Sequence, residues 1–154
     1  MTINHLREAY LGELYGINFF STLLNGYEDR SHVDKLDALL RIEHITGKKL
    51  KAALEPLGVV CPQYDPKMEQ KGIADANKWI HLPWNELIDT MVTWVAPYQQ
   101  RYQELADSAQ DHHELFKLVA EHENTIYKFL LAERFKLPKS IHILHSFILM
   151  HTIE

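Results

Sequence analysis

Three ionisable side chains, Glu13, Glu43 and His122, each stand in the middle of the apolar stripe of a helical segment. In Lys35–Leu57 (KLDALLRIEHITGKKLKAALEPL), the residues Leu36, Leu39, Leu40, Gly47, Leu50 and Leu54 fall on one helical face, and Glu43 lies at its centre. A lone ionised carboxylate buried there would be costly, so it has to be neutral, paired or bound to a cation. The same interruption at the same depth recurs in two other segments. Helices that share it are best accommodated by a fold that brings their midpoints to one level.

The helical period extends along most of the chain. A first helix is expected from a cap at Thr2 or Asn4 to about Gly26, with Leu6, Ala9, Tyr10, Ile17, Phe20 and Leu24 as its stripe around Glu13. Ser31 is expected to cap the second, which Pro56 and Gly58 end. Pro62, Pro66, Gly72 and Pro83 then punctuate a connection with one short helix from about Pro66 to Trp79, capped by Asp65. This link far exceeds the roughly 2–8 residues usual between bundle helices. Its length suits second and third long helices that run parallel.

Pro83 opens the third long helix, expected to about Ala106, with Trp84, Leu87, Ile88, Met91, Val95, Tyr98, Tyr102 and Leu105 on the core side. Pro97 predicts a kink or break near Ala96. Asp111 and Glu114 resemble a capping box for the fourth helix, whose stripe is Leu115, Leu118, Val119, His122, Ile126, Phe129 and Leu130. Leu137-Pro138 ends it, and Ser140 to about His151 forms a last amphipathic segment with Ile141, Leu144, Ile148 and Leu149 on its apolar face. The only β-branched run, Leu57 to Cys61, is short and bounded by proline. The expectation is an all-α, single-domain chain: four long helices, a long crossover between the second and third, and a short C-terminal helix.

A formal net charge of −5 over 154 residues argues against nucleic-acid binding, which needs basic clusters. The single cysteine, Cys61, forms no intramolecular disulfide, and the N-terminus lacks a basic region followed by an apolar run; a cytoplasmic setting is expected. No stretch of 18 apolar residues predicts a membrane span.

Two carboxylates and an imidazole at one level suit iron or manganese better than a structural zinc. Through these residues the chain, over residues 4–136, resembles the ferritin-like superfamily. That resemblance implies a four-helix bundle with the long crossover, a Glu on helix one, Glu-x-x-His on helix two, a Glu on helix three and Glu-x-x-His on helix four. Glu13 matches the helix-one ligand and Glu43 opens the helix-two motif. Thr46 stands where that motif has its His, helix three offers Met91, Val95 and Tyr98 at the ligand depth, and Asn124 follows Glu121 at the position of the last His. The metal candidates are therefore Glu13, Glu43, His122 and Glu123, with His44 a further residue at the stripe's edge. They would serve one ion, a rearranged pair, or none.

The function implied is an iron- or manganese-dependent oxidase or oxygenase acting on a small molecule. The alternative is a metal-free helical bundle, a homodimeric interaction module in which the Glu/His cluster is a structural network. A cofactor-binding bundle akin to the haem oxygenase or thiaminase-like folds is a third reading. Of the remaining polar residues, Glu133 is expected in an edge salt bridge, and His112, His113, His142 and His145 on the surface. Tyr10, Tyr98 and Tyr102 are expected in the core, and Cys61 has no activating base nearby in the sequence.

Overall fold

The computed structural model describes residues 2–152, and every regular element among them is helical. The six α-helices are α1 (Thr2–Gly26), α2 (Val33–Leu54), α3 (Pro66–Trp79), α4 (Trp84–Ser108), α5 (His113–Arg134) and α6 (Ile141–Thr152). The chain divides into two compact units, one ending at His81 and the other beginning at Leu82.

In the first unit α1 packs against both α2 and α3. That double engagement explains why its buried face is wider than a single stripe. Leu14, Tyr15, Phe19 and Leu23 are buried as well as Leu6, Ala9, Tyr10 and Phe20, while Ile17 and Leu24 of the expected stripe are only half-buried. The α1–α3 crossing is close because Gly72 has no side chain: a Cβ there would lie 2.6 Å from the Tyr15 carbonyl oxygen and 3.1 Å from the Phe19 nitrogen. Beside it the Tyr15 hydroxyl donates to Asp75 Oδ2 at 2.5 Å, and Phe19 meets Trp79 edge-on with centroids 5.7 Å apart. Tyr15 against Gly72 and Phe19 against Trp79 set α3 running in the same direction as α1.

The connection from α1 to α2 is closed by side chains on backbone. Arg30 Nη1 donates to the carbonyls of Leu24 (2.7 Å) and Tyr27 (3.2 Å), which the end of α1 leaves without helical partners. Asp29, not Ser31, is the capping residue: its carboxylate accepts from the Ser31 nitrogen at 3.0 Å and hydroxyl at 2.7 Å, starting a 3-10 turn ahead of α2. Those two hydrogen bonds hold the Asp29 carboxyl below its ordinary range. Asp65 caps α3 as expected, accepting from the Met68 nitrogen at 3.0 Å.

In the second unit α4 and α5 form an antiparallel hairpin, and α6 folds back along α5. Polar pairs mark the hairpin from end to end. Trp84 Nε1 donates to Glu133 at 2.8 Å, Arg134 pairs with Asp89 at 2.9 Å, and Asn124 is held between Gln99 (2.7 Å) and Gln103 (2.8 Å). Pro97 lies inside α4, yet the helix is continuous; 25 residues packed along α5 absorb one missing N–H. Tyr98 faces outward, 44% exposed, because the buried phase runs through Val95, Tyr102 and Ala106. Asp111 does not cap α5. His112 takes the N-cap in left-handed conformation, φ 57°, and its carbonyl accepts from Leu115 and Phe116. On α6 the buried residues are Leu144, Phe147 and Ile148, so Phe147 replaces the expected Leu149, which is exposed.

The same chain reversal appears in both units. After α2, Val59 N–H bonds back to Leu54 and Gly58 N–H to Glu55, with Gly58 at φ 84°. After α5, Leu137 N–H bonds to Ala132 and Lys136 N–H to Glu133, with Lys136 at φ 55°. Only the first uses the residue that adopts this conformation without steric cost.

Lys136→Gly is therefore expected to raise stability by about 0.5–1 kcal/mol in denaturant titration. Gly12→Ala, on the exposed face of α1 with nothing within 4 Å of the added Cβ, is expected to stabilise by a similar amount. Gly72→Ala, which drives a methyl into the α1 backbone, is expected to cost about 1–3 kcal/mol in the same melts.

Candidate functional site

Glu13 and Glu43 come from the middles of α1 and α2, and the two helices bring them together. Glu13 lies over Gly47 while Glu43 lies over Gly16, so the numbering falls on one helix as it rises on the other and the two helices are antiparallel. A carboxylate oxygen of Glu13 lies within 4.8 Å of one of Glu43. The side chains are 3% and 6% exposed, against the outward positions that glutamates normally take.

Each glutamate occupies space that the other helix leaves by carrying a glycine. A Cβ on Gly47 would sit 3.4 Å from Glu13 Cβ, an ordinary contact with the stem of the side chain. A Cβ on Gly16 would fall 2.9 Å from Glu43 Oε2, and Oε1 and Cδ of Glu43 are nearer still. The Glu43 carboxyl therefore rests directly on the α1 backbone. Gly16 follows Glu13 by three residues and Gly47 follows Glu43 by four, one helical turn in each case. That repeated Glu-to-Gly spacing was present in the sequence. Gly47 was visible as a member of the apolar face, whereas Gly16 drew no notice because a glycine adds nothing to a hydrophobic stripe.

Two carboxylates this close cannot both remain ionised without a counter-charge. At 4.8 Å and an effective dielectric near 20 their repulsion is roughly 3–4 kcal/mol, beside several kcal/mol of desolvation for each. A proton, a cationic side chain or a metal ion would each offset this. Thr46, one turn beyond Glu43, is fully buried.

His122 lies in the second unit, at the middle of α5 and 1% exposed. Phe147 of α6 meets its ring edge-on with centroids 6.2 Å apart, and on the far side Phe147 packs against His151 at 4.3 Å. His151 in turn contacts Glu121 at 3.2 Å, so α6 is fastened to α5 one residue before His122. Nothing in the sequence pattern set Phe147 or His151 apart from other residues of an amphipathic helix.

The remaining candidates fall elsewhere. Glu123 is half-buried and His44 is exposed on α2. Asn124 is turned to α4, engaged by Gln99 and Gln103. Glu133 ties three elements of the second unit together, accepting from Trp84 Nε1 and from the Ser140 hydroxyl in a short contact. His142 and His145 are exposed, and Tyr10 donates its hydroxyl to the Pro62 carbonyl at 2.6 Å.

That last bond anchors the loop bearing Cys61, which is 2% exposed. Burial pushes the Cys61 thiol up, and Glu55 adds to the shift while Lys51 and Arg7 oppose it. The fold thus favours the neutral thiol; its contribution to stability is present below the ordinary thiol range and is lost as pH rises through the raised pKa. Iodoacetamide is expected to modify native Cys61 more slowly than free cysteine at pH 8, with the ordinary rate restored in denaturant; an equal rate in the native protein would contradict this burial.

No family model, no curated protein and no solved structure matches the chain.

Proposed function

We propose that this protein is a ferritin-like metalloprotein that holds one iron or manganese ion through Glu13, Glu43 and His122 and acts as an oxidase or oxygenase on a small molecule. The observation that carries this reading is the buried pair Glu13 and Glu43, two acidic side chains within 4.8 Å of each other in the interior, each given room by a glycine of the opposite helix. Burying such a pair is expensive in the absence of a cation and favourable around one. His122 is the imidazole added to the set, since it too is buried at a helix midpoint.

The donor types fit the group. Two carboxylate oxygens and one neutral imidazole nitrogen suit iron or manganese, and two negative charges balance a divalent ion. A metal bound by three protein groups retains open coordination positions, and would supply Lewis-acid or redox chemistry there. The chain's part is to fix those groups and keep water away from them. Leu39, Ile42 and Leu50, all fully buried, flank Glu43 along α2, and Leu6 and Tyr10 precede Glu13 on α1. Thr46 and the engaged Asn124 favour a three-residue set over the six ligands of a full di-iron site.

Elemental analysis of protein purified without chelator, from cells supplied with iron and manganese, is expected to find one equivalent of one of these metals. Glu43→Ala is expected to lower that occupancy while the protein remains folded. Thermal melts give the opposing result its form. A protein indifferent to chelator, yet destabilised by about 1–3 kcal/mol in Glu43→Ala, would identify a structural polar network and end the metal reading.

A further inference from the structure

Among the residues on the α1 face that meets α2, Gly16 stands out because its value to the fold lies in what it lacks. The three heavy atoms nearest a Cβ at this position all belong to the carboxyl group of Glu43, and all lie inside normal contact distance. Gly12, one turn earlier on the same helix, has nothing within 4 Å of its Cβ position and is exposed. Gly47, the counterpart on α2, meets only the aliphatic stem of Glu13. A Cβ added at residue 12 or 47 would leave the carboxylates where they are, whereas a Cβ at residue 16 would displace that of Glu43.

We propose that Gly16 is a positioning residue for the cation site, acting through Glu43: it is the seat against which the Glu43 carboxylate lies, and it fixes how far that carboxylate extends beside Glu13. This rests on the metal reading above. A glutamate has three rotatable side-chain bonds, and an open cavity would let its carboxylate wander among rotamers. Resting the carboxyl on helix backbone removes that freedom in advance, which is how a cation site gains affinity without a further ligand. The seat also selects for length. An aspartate at residue 43 is one methylene shorter and does not reach Gly16, so it loses the seat together with its reach toward Glu13.

The test is a double-mutant cycle read by Mn²⁺ titration of metal-free protein, followed by electron paramagnetic resonance. Gly16→Ala is expected to weaken Mn²⁺ binding at least tenfold in the wild-type background. In the Glu43→Asp background, where the shorter carboxylate has already left the seat, the same change is expected to alter affinity less than twofold. Gly12→Ala supplies the control and should leave affinity unchanged.

An unaltered affinity in Gly16→Ala overturns the proposal. So does an equal loss in both backgrounds, because Gly16 would then act on the fold and not through Glu43. Should Gly16→Ala alone fail to fold, the pair Gly16→Ala/Glu43→Asp decides: it is expected to fold, and its failure would place the clash elsewhere and overturn the proposal. Wild-type protein that binds no Mn²⁺ and no Fe²⁺ marks failure of the metal reading itself and takes the positioning role with it. That case is distinguished because the wild type, and not only the variant, is silent.

Discussion

The first unit depends on how closely α1 approaches its two neighbours. Helix axes come together only as far as the side chains between them permit, and here glycine sets the limit on both sides. Gly72 lets α3 touch the backbone of α1 at Tyr15 and Phe19, and the pair Gly16 and Gly47 makes room for two glutamates between α1 and α2. The aromatic cluster of Tyr15, Phe19 and Trp79 and the hydrogen bond from Tyr15 to Asp75 form because that approach is already made. A larger residue at Gly72 would separate the helices before these contacts could form.

The second unit is built differently. Its hairpin is registered by polar pairs along the α4–α5 seam, with Trp84 on Glu133 at one end and the Gln99–Asn124–Gln103 ladder toward the other. Directional hydrogen bonds between side chains discriminate register in a way that a leucine stripe alone does not. Glu133 adds a second duty through Ser140, fixing the start of α6, and the Glu121–His151 contact fixes its end. Between those two points Phe147 is laid against His122.

In both units polar residues on apolar stripes therefore have specific work, but of two kinds. Glu133, Asn124 and Tyr15 hydrogen-bond to Trp84, Gln99 and Asp75 of neighbouring helices and act as structural pins. Glu13 and Glu43 are two acidic side chains held together in the interior, an arrangement that raises the free energy of the fold unless a proton, a cationic group or a metal ion offsets it. Natural proteins tolerate such local costs chiefly where function needs them. That contrast is the reason the carboxylate pair carries the functional reading and Glu133 does not.

Periodicity alone determined the helices and the depth of Glu13, Glu43 and His122, because both are properties of a single segment: a 3.6-residue repeat places each side chain on a face whatever surrounds it. Pro66, Asp65 and Gly58 likewise marked their helix ends, since caps and turns are local chemistry. The tertiary structure decided what depends on neighbours. That α1 has two partners widened its buried face, the phase of α4 turned Tyr98 outward, and the fold of α6 back along α5 selected Phe147 over Leu149. The berth at Gly16 is the clearest case. A missing side chain has no hydrophobicity and no charge to read, and it acquires meaning only when a second helix places a carboxylate in the space it leaves.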